Sequence, residues 1–145
     1  MLYFAYGSNM DPTQLRERVG EVGRGVTGIL NRYELRFNKR SVHDEYGRAN
    51  LIVDPRATTE GVLFELTDEQ FTQMDRKEGS GYQRHDIAVQ VGGNTRKAQT
   101  YFATAEFVVD GLHPSNEYLG HILDGAHEHR LSEAYIEKIR ILALL

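Results

Sequence analysis

Two short segments of the sequence carry residue types that could do chemistry on a small molecule. In the first, an apolar run ends abruptly in Tyr6-Gly7-Ser8-Asn9. A strand that stops there, with a helix beginning at Asp11, leaves consecutive backbone N–H groups free to bind an anion or an oxyanion. An ordinary strand-to-helix turn, with Gly7 at positive φ, fits the same spacing. Ser8 is a poor candidate nucleophile, because the G-x-S-x-G spacing is missing and no His or Asp stands in an obvious supporting position.

The second segment is Glu78-Gly79-Ser80-Gly81-Tyr82, where a helix runs out into two glycines before a strand. Glycine after a helix is typical of a C-cap, which accounts for Gly79. It does not account for Glu78, because the helix macrodipole disfavours negative charge at a C-terminus. A residue that breaks a local rule is a candidate functional residue, although a solvated surface glutamate fits the same pattern.

A third segment, His113 to Tyr118, predicts a helix that is capped by Ser115 and carries Tyr118 one turn inside. Tyr118 fits either a core position or a hydroxyl that points into a site. No metal site is predicted, because His127 and His129 are two residues apart and no His-x-x-x-His pair exists. The glycines between residues 20 and 28 do not follow a strand and open a helix, as a dinucleotide-binding loop would require.

The elements that must position these residues follow from hydrophobic periodicity and from turn and capping signals. Asp11-Pro12-Thr13-Gln14 begins a short helix, with Asp11 as the cap and Gln14 at capping-box spacing. The region 40–48 is polar and predicts a loop. Strands come first and helices last, which predicts an α+β domain. The predicted strands are 2–6, 26–37, 51–53, 62–66, 87–91 and 98–103, and the other predicted helices are 67–76, 118–126 and 135–143.

Composition limits the possible classes of protein. The 145 residues, 40% of them hydrophobic, fit one domain over residues 1–145. A net charge of −4 without a basic block argues against a nucleic-acid partner. The chain has no cysteine, so it needs no oxidising compartment, and its start lacks the pattern of a signal peptide or a membrane span. We therefore expect a cytoplasmic protein without a membrane partner.

Taken together, YFAYGSNM, the glutamate in EGSGY, and PSNEY before the last helices resemble the γ-glutamylcyclotransferase family. Relatives in that family include γ-glutamylamine cyclotransferases, the cyclotransferase of butirosin biosynthesis and plant AIG2-like proteins. The resemblance spans nearly the whole chain, since GRANLIVDP, GVLFEL and GAHEHRLSEAYIEKI occur in the same order as the family's later segments.

The resemblance implies a small mixed β-barrel flanked by short helices, with C-terminal helices, around one polar cavity. It implies intramolecular aminolysis of a γ-glutamyl amide to 5-oxoproline, with release of an amine or amino acid and without a cofactor or metal. Glu78 would be the catalytic acid and base. The substrate-binding residues would be Tyr6, Gly7, Ser8, Asn9 and Tyr118.

Two alternatives remain open at the level of sequence. An AIG2-like binding module would hold a γ-glutamyl-like or acidic small molecule without turnover. An amide hydrolase would use Ser8 or an activated water molecule. The sequence does not name the leaving group or the oligomeric state.

Overall fold

The computed structural model describes residues 1–145. Three short 3-10 helices lie at Ser8–Met10, Gly79–Gly81 and Ala105–Phe107. The strands and α-helices, in chain order, are β1 (Leu2–Ala5), α1 (Pro12–Val19), β2 (Val26–Arg40), β3 (Gly47–Glu65), α2 (Asp68–Glu78), β4 (Tyr82–Val91), β5 (Asn94–Ala103), α3 (Asn116–Glu128) and α4 (Glu133–Leu144).

The five strands close into a barrel in the order β1-β3-β2-β4-β5. Neighbours pair antiparallel except β1 and β5, which run parallel with Tyr3 opposite Gln99. The barrel is therefore mixed and the helices lie outside it, which confirms the α+β class and the fold expected from the resemblance. No helix combines the length and the apolar character needed to span a membrane.

Strand β2 changes phase along its length. Arg32 has φ of 73°, and the β2–β3 register shifts between Asn31 and Tyr33. Such a bulge inserts one residue into the two-residue repeat of a strand, so the inward face moves to the other set of positions. Before the bulge Leu30 is buried, and after it Leu35, Phe37 and Lys39 are buried. The apolar residues Val26 and Ile29, before the bulge, are exposed.

Strand β3 is continuous from Gly47 to Glu65, whereas the sequence predicts two separate strands at 51–53 and 62–66. The segment between them is mostly polar, but it pairs with β2 at Thr58 and Thr59. This segment belongs to the strand because its backbone pairs with β2. Its residues are mostly polar, so hydrophobic periodicity did not predict it. Pro55 lies where the register is interrupted, which is where a strand tolerates proline.

The helix ends follow the predicted capping chemistry with one exception. Thr67 and Gln70 form the capping box of α2, Gly79 ends that helix at φ of 69°, and Ser115 caps α3. Asp11 caps α1 as predicted. Gln14 does not complete a capping box there; its amide donates instead to Ser8 Oγ and, at 3.2 Å, to Asn9 Oδ1.

Candidate active site

A polar pocket of about 360 Å³ opens where β1 gives way to the Ser8–Met10 turn and where α2 ends. Strand β3, the 41–44 part of the loop between β2 and β3, and the start of α3 supply further walls. All six predicted site residues line this one pocket: Tyr6, Gly7, Ser8, Asn9, Glu78 and Tyr118. Residues far apart in the chain therefore surround one volume large enough for a small molecule.

The Gly7–Asn9 turn forms one wall of the pocket. Gly7 has φ of −115° and ψ of −141°, so the expectation of a positive φ there is wrong. Glycine is needed for a different reason. A Cβ at this position would lie 3.2 Å from Ala49 Cβ and 3.4 Å from Tyr118 Oη. The absence of a side chain lets β3 and α3 approach the turn, whose 3-10 helix has no side-chain cap on its N–H groups.

Ser8 and Asn9 are buried and are held by Gln14 of α1. The hydrogen bond at Ser8 Oγ comes from the Gln14 amide, which is a donor and cannot remove the serine proton. The arrangement fixes the turn against α1. It does not activate Ser8 as a nucleophile, since that would require an adjacent general base.

Glu78 is the last residue of α2, and its side chain is partly buried in the pocket wall. Asn9 Nδ2 lies 3.5 Å from Glu78 Oε1 and 3.0 Å from the Tyr3 hydroxyl oxygen. Burial raises the pKa of Glu78 above its ordinary value. The charges of Arg18 and Lys39 and the Asn9 hydrogen bond oppose that rise in pKa, while Asp75 adds to it.

Two tyrosines hold the backbone of Ala49 on β3. The Ala49 N–H donates to Tyr118 Oη at 2.9 Å, and the Ala49 carbonyl accepts from Tyr82 Oη at 2.8 Å. Ala49 lies opposite a second register shift of β2, between Arg36 and Lys39, so side chains replace regular strand pairing here. Because Tyr118 Oη accepts this bond, its proton is free to donate into the pocket, and burial raises the pKa of Tyr118 to about 12.

A family model described as the AIG2-like family matches residues 58–139, which is more than half of the chain. The chain belongs to the AIG2-like family. A search of curated proteins found no match for this AIG2-like chain.

Solved structures extend the comparison of this AIG2-like protein to the whole barrel. A γ-glutamyl cyclotransferase superposes with a TM-score of 0.87 and 26% identity, over 96% of this chain and 85% of the other. YkqA from Bacillus subtilis superposes with a TM-score of 0.81 and 26% sequence identity, and the match covers 98% of this chain and 54% of YkqA. A yeast cyclotransferase specific to glutathione shares the fold with a TM-score of 0.75 and 14% identity, and the match covers 99% of this chain and 95% of the yeast chain. The chain therefore shares its fold with γ-glutamyl cyclotransferases of known structure.

Several residues that line the pocket were not predicted from the sequence. Lys39 carried a readable signal, because it continues the two-residue alternation of Leu35 and Phe37 on one face of a strand. Arg18 and Gln14 face the pocket from α1, and no spacing in the sequence marks them. The other pocket residues without a predicted site role include Tyr3, Arg48, Tyr82 and Tyr101.

Proposed function

We propose that this AIG2-like protein is a γ-glutamylcyclotransferase-like enzyme that closes a γ-glutamyl amide to 5-oxoproline. The observation that carries the proposal is the position of Glu78, a partly buried carboxyl with a raised pKa beside Asn9 of the uncapped turn. An acid–base group and backbone donors for a developing negative charge therefore share one pocket. The kinship with a γ-glutamyl cyclotransferase of known structure supports the same reaction.

In the proposed reaction the substrate's α-ammonium gives a proton to the Glu78 carboxylate, and the freed amine attacks the γ-carbonyl carbon. The carbonyl oxygen becomes an oxyanion that the N–H groups of the Gly7–Asn9 turn stabilise. Protonated Glu78 then gives its proton to the amide nitrogen, and the C–N bond breaks as the oxyanion reforms the carbonyl. The ring nitrogen loses its remaining extra proton to the Glu78 carboxylate, which passes it to the released amine, so the products are 5-oxoproline and an ammonium and Glu78 is again ionised. Because the nucleophile belongs to the substrate, the pocket's main task is to hold the folded rotamer.

The raised pKa of Glu78 suits both proton transfers, since a group that must accept and return a proton works best when its pKa approaches the working pH. The free Tyr118 hydroxyl proton gives a further donor for a substrate oxygen. Neither transfer requires a cofactor.

Product analysis tests the proposal against its alternatives. The purified protein is incubated with a panel of γ-glutamyl compounds that differ in the leaving amine, and 5-oxoproline and glutamate are quantified. Release of 5-oxoproline supports cyclotransfer, whereas free glutamate identifies a hydrolase, and binding without either product identifies a binding module. Substrates acylated on the α-amine serve as the control, and 5-oxoproline release from them would contradict the mechanism.

A further inference from the structure

Lys39 is a buried lysine whose ammonium group forms no salt bridge. Its side chain continues the inward face of β2 and is only 5% exposed, yet it lines the pocket. Lysine is almost never buried unless it is paired. No salt bridge forms at Nζ; burial lowers the pKa of Lys39, and the Glu78 carboxylate across the pocket opposes that effect by raising it. An unpartnered ammonium that faces a cavity indicates that an anion occupies this part of the pocket in the working protein.

The immediate surroundings of the Lys39 ammonium are aromatic. Nζ lies 5.0 Å from the Tyr82 ring centroid and 5.2 Å from the Phe107 ring centroid. Aromatic faces attract a cation without supplying a counter-charge, so they orient the ammonium and leave its hydrogen-bond donors free. The nearby cations Arg40 and Arg48 add positive potential, although Arg48 is itself paired with Asp44 at 3.3 Å.

Gly81 borders the space that the end of the Lys39 side chain occupies. An added Cβ at Gly81 would lie 2.6 Å from Lys39 Cε and 2.8 Å from Nζ, closer than any real contact. Gly81 does not have positive φ, so backbone conformation does not demand glycine at this position. The second glycine of the Gly79-Ser80-Gly81 segment is thus explained by the room that it leaves for Lys39.

We propose that the Lys39 ammonium binds a carboxylate of the γ-glutamyl substrate and that Gly81 keeps the position of this ammonium open. This inference rests on the proposed function. Lys39 is paired with Arg48 in the β2–β3 register, and Ala49, the next residue of β3, contacts the Gly7 turn. Because β3 lies between β1 and β2 in the barrel, the Gly7 turn and Lys39 reach the pocket from opposite sides of β3 and provide two separate positions for negative charge.

The substrate offers two sources for this carboxylate, the α-carboxylate of the glutamyl group and a carboxylate on the leaving group. Two ligand pairs, each differing by one carboxylate, separate them. The first pair is 5-oxoproline and its carboxamide, compared by titration calorimetry. The second pair is γ-glutamylglycine and γ-glutamylglycinamide, compared by kcat/KM.

Lys39→Met keeps the apolar stem and removes the charge, and Lys97→Met at an exposed position of β5 is its matched control. The wild-type protein is expected to prefer the acid in at least one pair. Lys39→Met is expected to reduce that preference by about tenfold or more, as for loss of a charge-assisted hydrogen bond. The pair that responds identifies the carboxylate. An acid preference that is absent from both pairs in wild type, or unchanged in Lys39→Met, overturns the inference.

Gly81→Ala provides a second variant that retains the lysine and displaces only its flexible end, so the result does not depend on how Lys39→Met folds. It is expected to weaken the same acid preference, whereas Gly93→Ala, where a Cβ meets no atom within 4 Å, is expected to leave it unchanged. An unchanged preference in Gly81→Ala overturns the inference.

The two proposals fail separately. Lys39-dependent binding of 5-oxoproline without turnover of any γ-glutamyl compound removes the catalytic proposal alone. Turnover of γ-glutamylglycine without dependence on Lys39 removes this inference alone.

Discussion

Replacing Tyr118 with phenylalanine is expected to lower both the stability and the turnover of the protein. The Tyr118 hydroxyl is the acceptor for the Ala49 N–H at 2.9 Å, and Ala49 is only 2% exposed. Phenylalanine keeps the ring but leaves this buried donor without a partner, because Ala49 faces a register shift of β2. The variant also removes a hydroxyl group from the lining of the pocket.

The size of the stability loss follows from the hydrogen bond. Leaving a buried N–H unsatisfied costs about 1–3 kcal/mol. For a chain of this length each kcal/mol lowers the melting temperature by about 2–4 °C, so a fall of about 2–12 °C is expected. Turnover is expected to fall as well, because Ala49 Cβ contacts the Gly7 turn and a shift of β3 would move that wall of the pocket.

Denaturant unfolding and steady-state kinetics on the same preparations measure the two effects of Tyr118→Phe. Tyr46→Phe is the matched control, because the exposed Tyr46 hydroxyl makes no hydrogen bond, and its free energy of unfolding should change by less than about 0.5 kcal/mol. An unchanged stability in Tyr118→Phe would refute the account of the Ala49 N–H. A lost stability with full kcat and KM would make Tyr118 a purely structural residue.

Three further predictions concern Glu78 and Gly7. The kcat/KM of wild type is expected to fall toward acidic pH with a midpoint above the ordinary glutamate range, because burial raises the pKa of Glu78 and the base must be ionised; a pH–rate profile measures this. Glu78→Gln is expected to raise the melting temperature at neutral pH. Burial gives Glu78 a higher pKa in the folded protein than in the unfolded chain, so folding favours the protonated carboxyl. The stability that wild-type Glu78 contributes is therefore present below its unfolded-state pKa and is lost as pH rises through its folded-state pKa. Melting curves across pH should show the advantage of the variant shrinking in acid, and an advantage independent of pH would contradict the assignment. Gly7→Val is expected to raise KM and lower stability, because its Cβ would already lie 3.2 Å from Ala49 Cβ, whereas Gly93→Ala should change neither in the same assays.

The site could be predicted from the sequence where a residue violates a local rule. Glu78 was a candidate because a helix C-terminus disfavours an acidic residue. The YGSN segment was a candidate because a buried strand ends there abruptly in small polar residues. The reason for Gly7 could not be predicted, because it depends on the approach of Ala49 and Tyr118, both far away in the chain. The inward direction of Lys39 follows from its alternation with Leu35 and Phe37, but the pocket that it enters is formed by residues far away in the chain.

The fold could be predicted where local signals decide it. The capping residues Asp11, Thr67 and Ser115 begin helices as expected, since capping is a local interaction. The length of β3 could not be read from its composition, because its polar residues 58–60 join the strand through pairing with β2. Closure of the barrel through Tyr3 and Gln99 links residues almost a hundred positions apart. It was expected only from the family resemblance.

The most direct test of the proposed reaction is the rate of 5-oxoproline release by Glu78→Gln. Glutamine preserves the shape of Glu78 and an oxygen for Asn9 but cannot carry the proton between the ammonium and the leaving nitrogen. The rate is expected to fall by about 10² to 10⁴, with cooperative thermal unfolding and binding of 5-oxoproline retained. If the folded variant keeps more than about a tenth of the wild-type kcat/KM, a loss below about 1.4 kcal/mol, Glu78 is not the acid–base group and the proposed mechanism is contradicted.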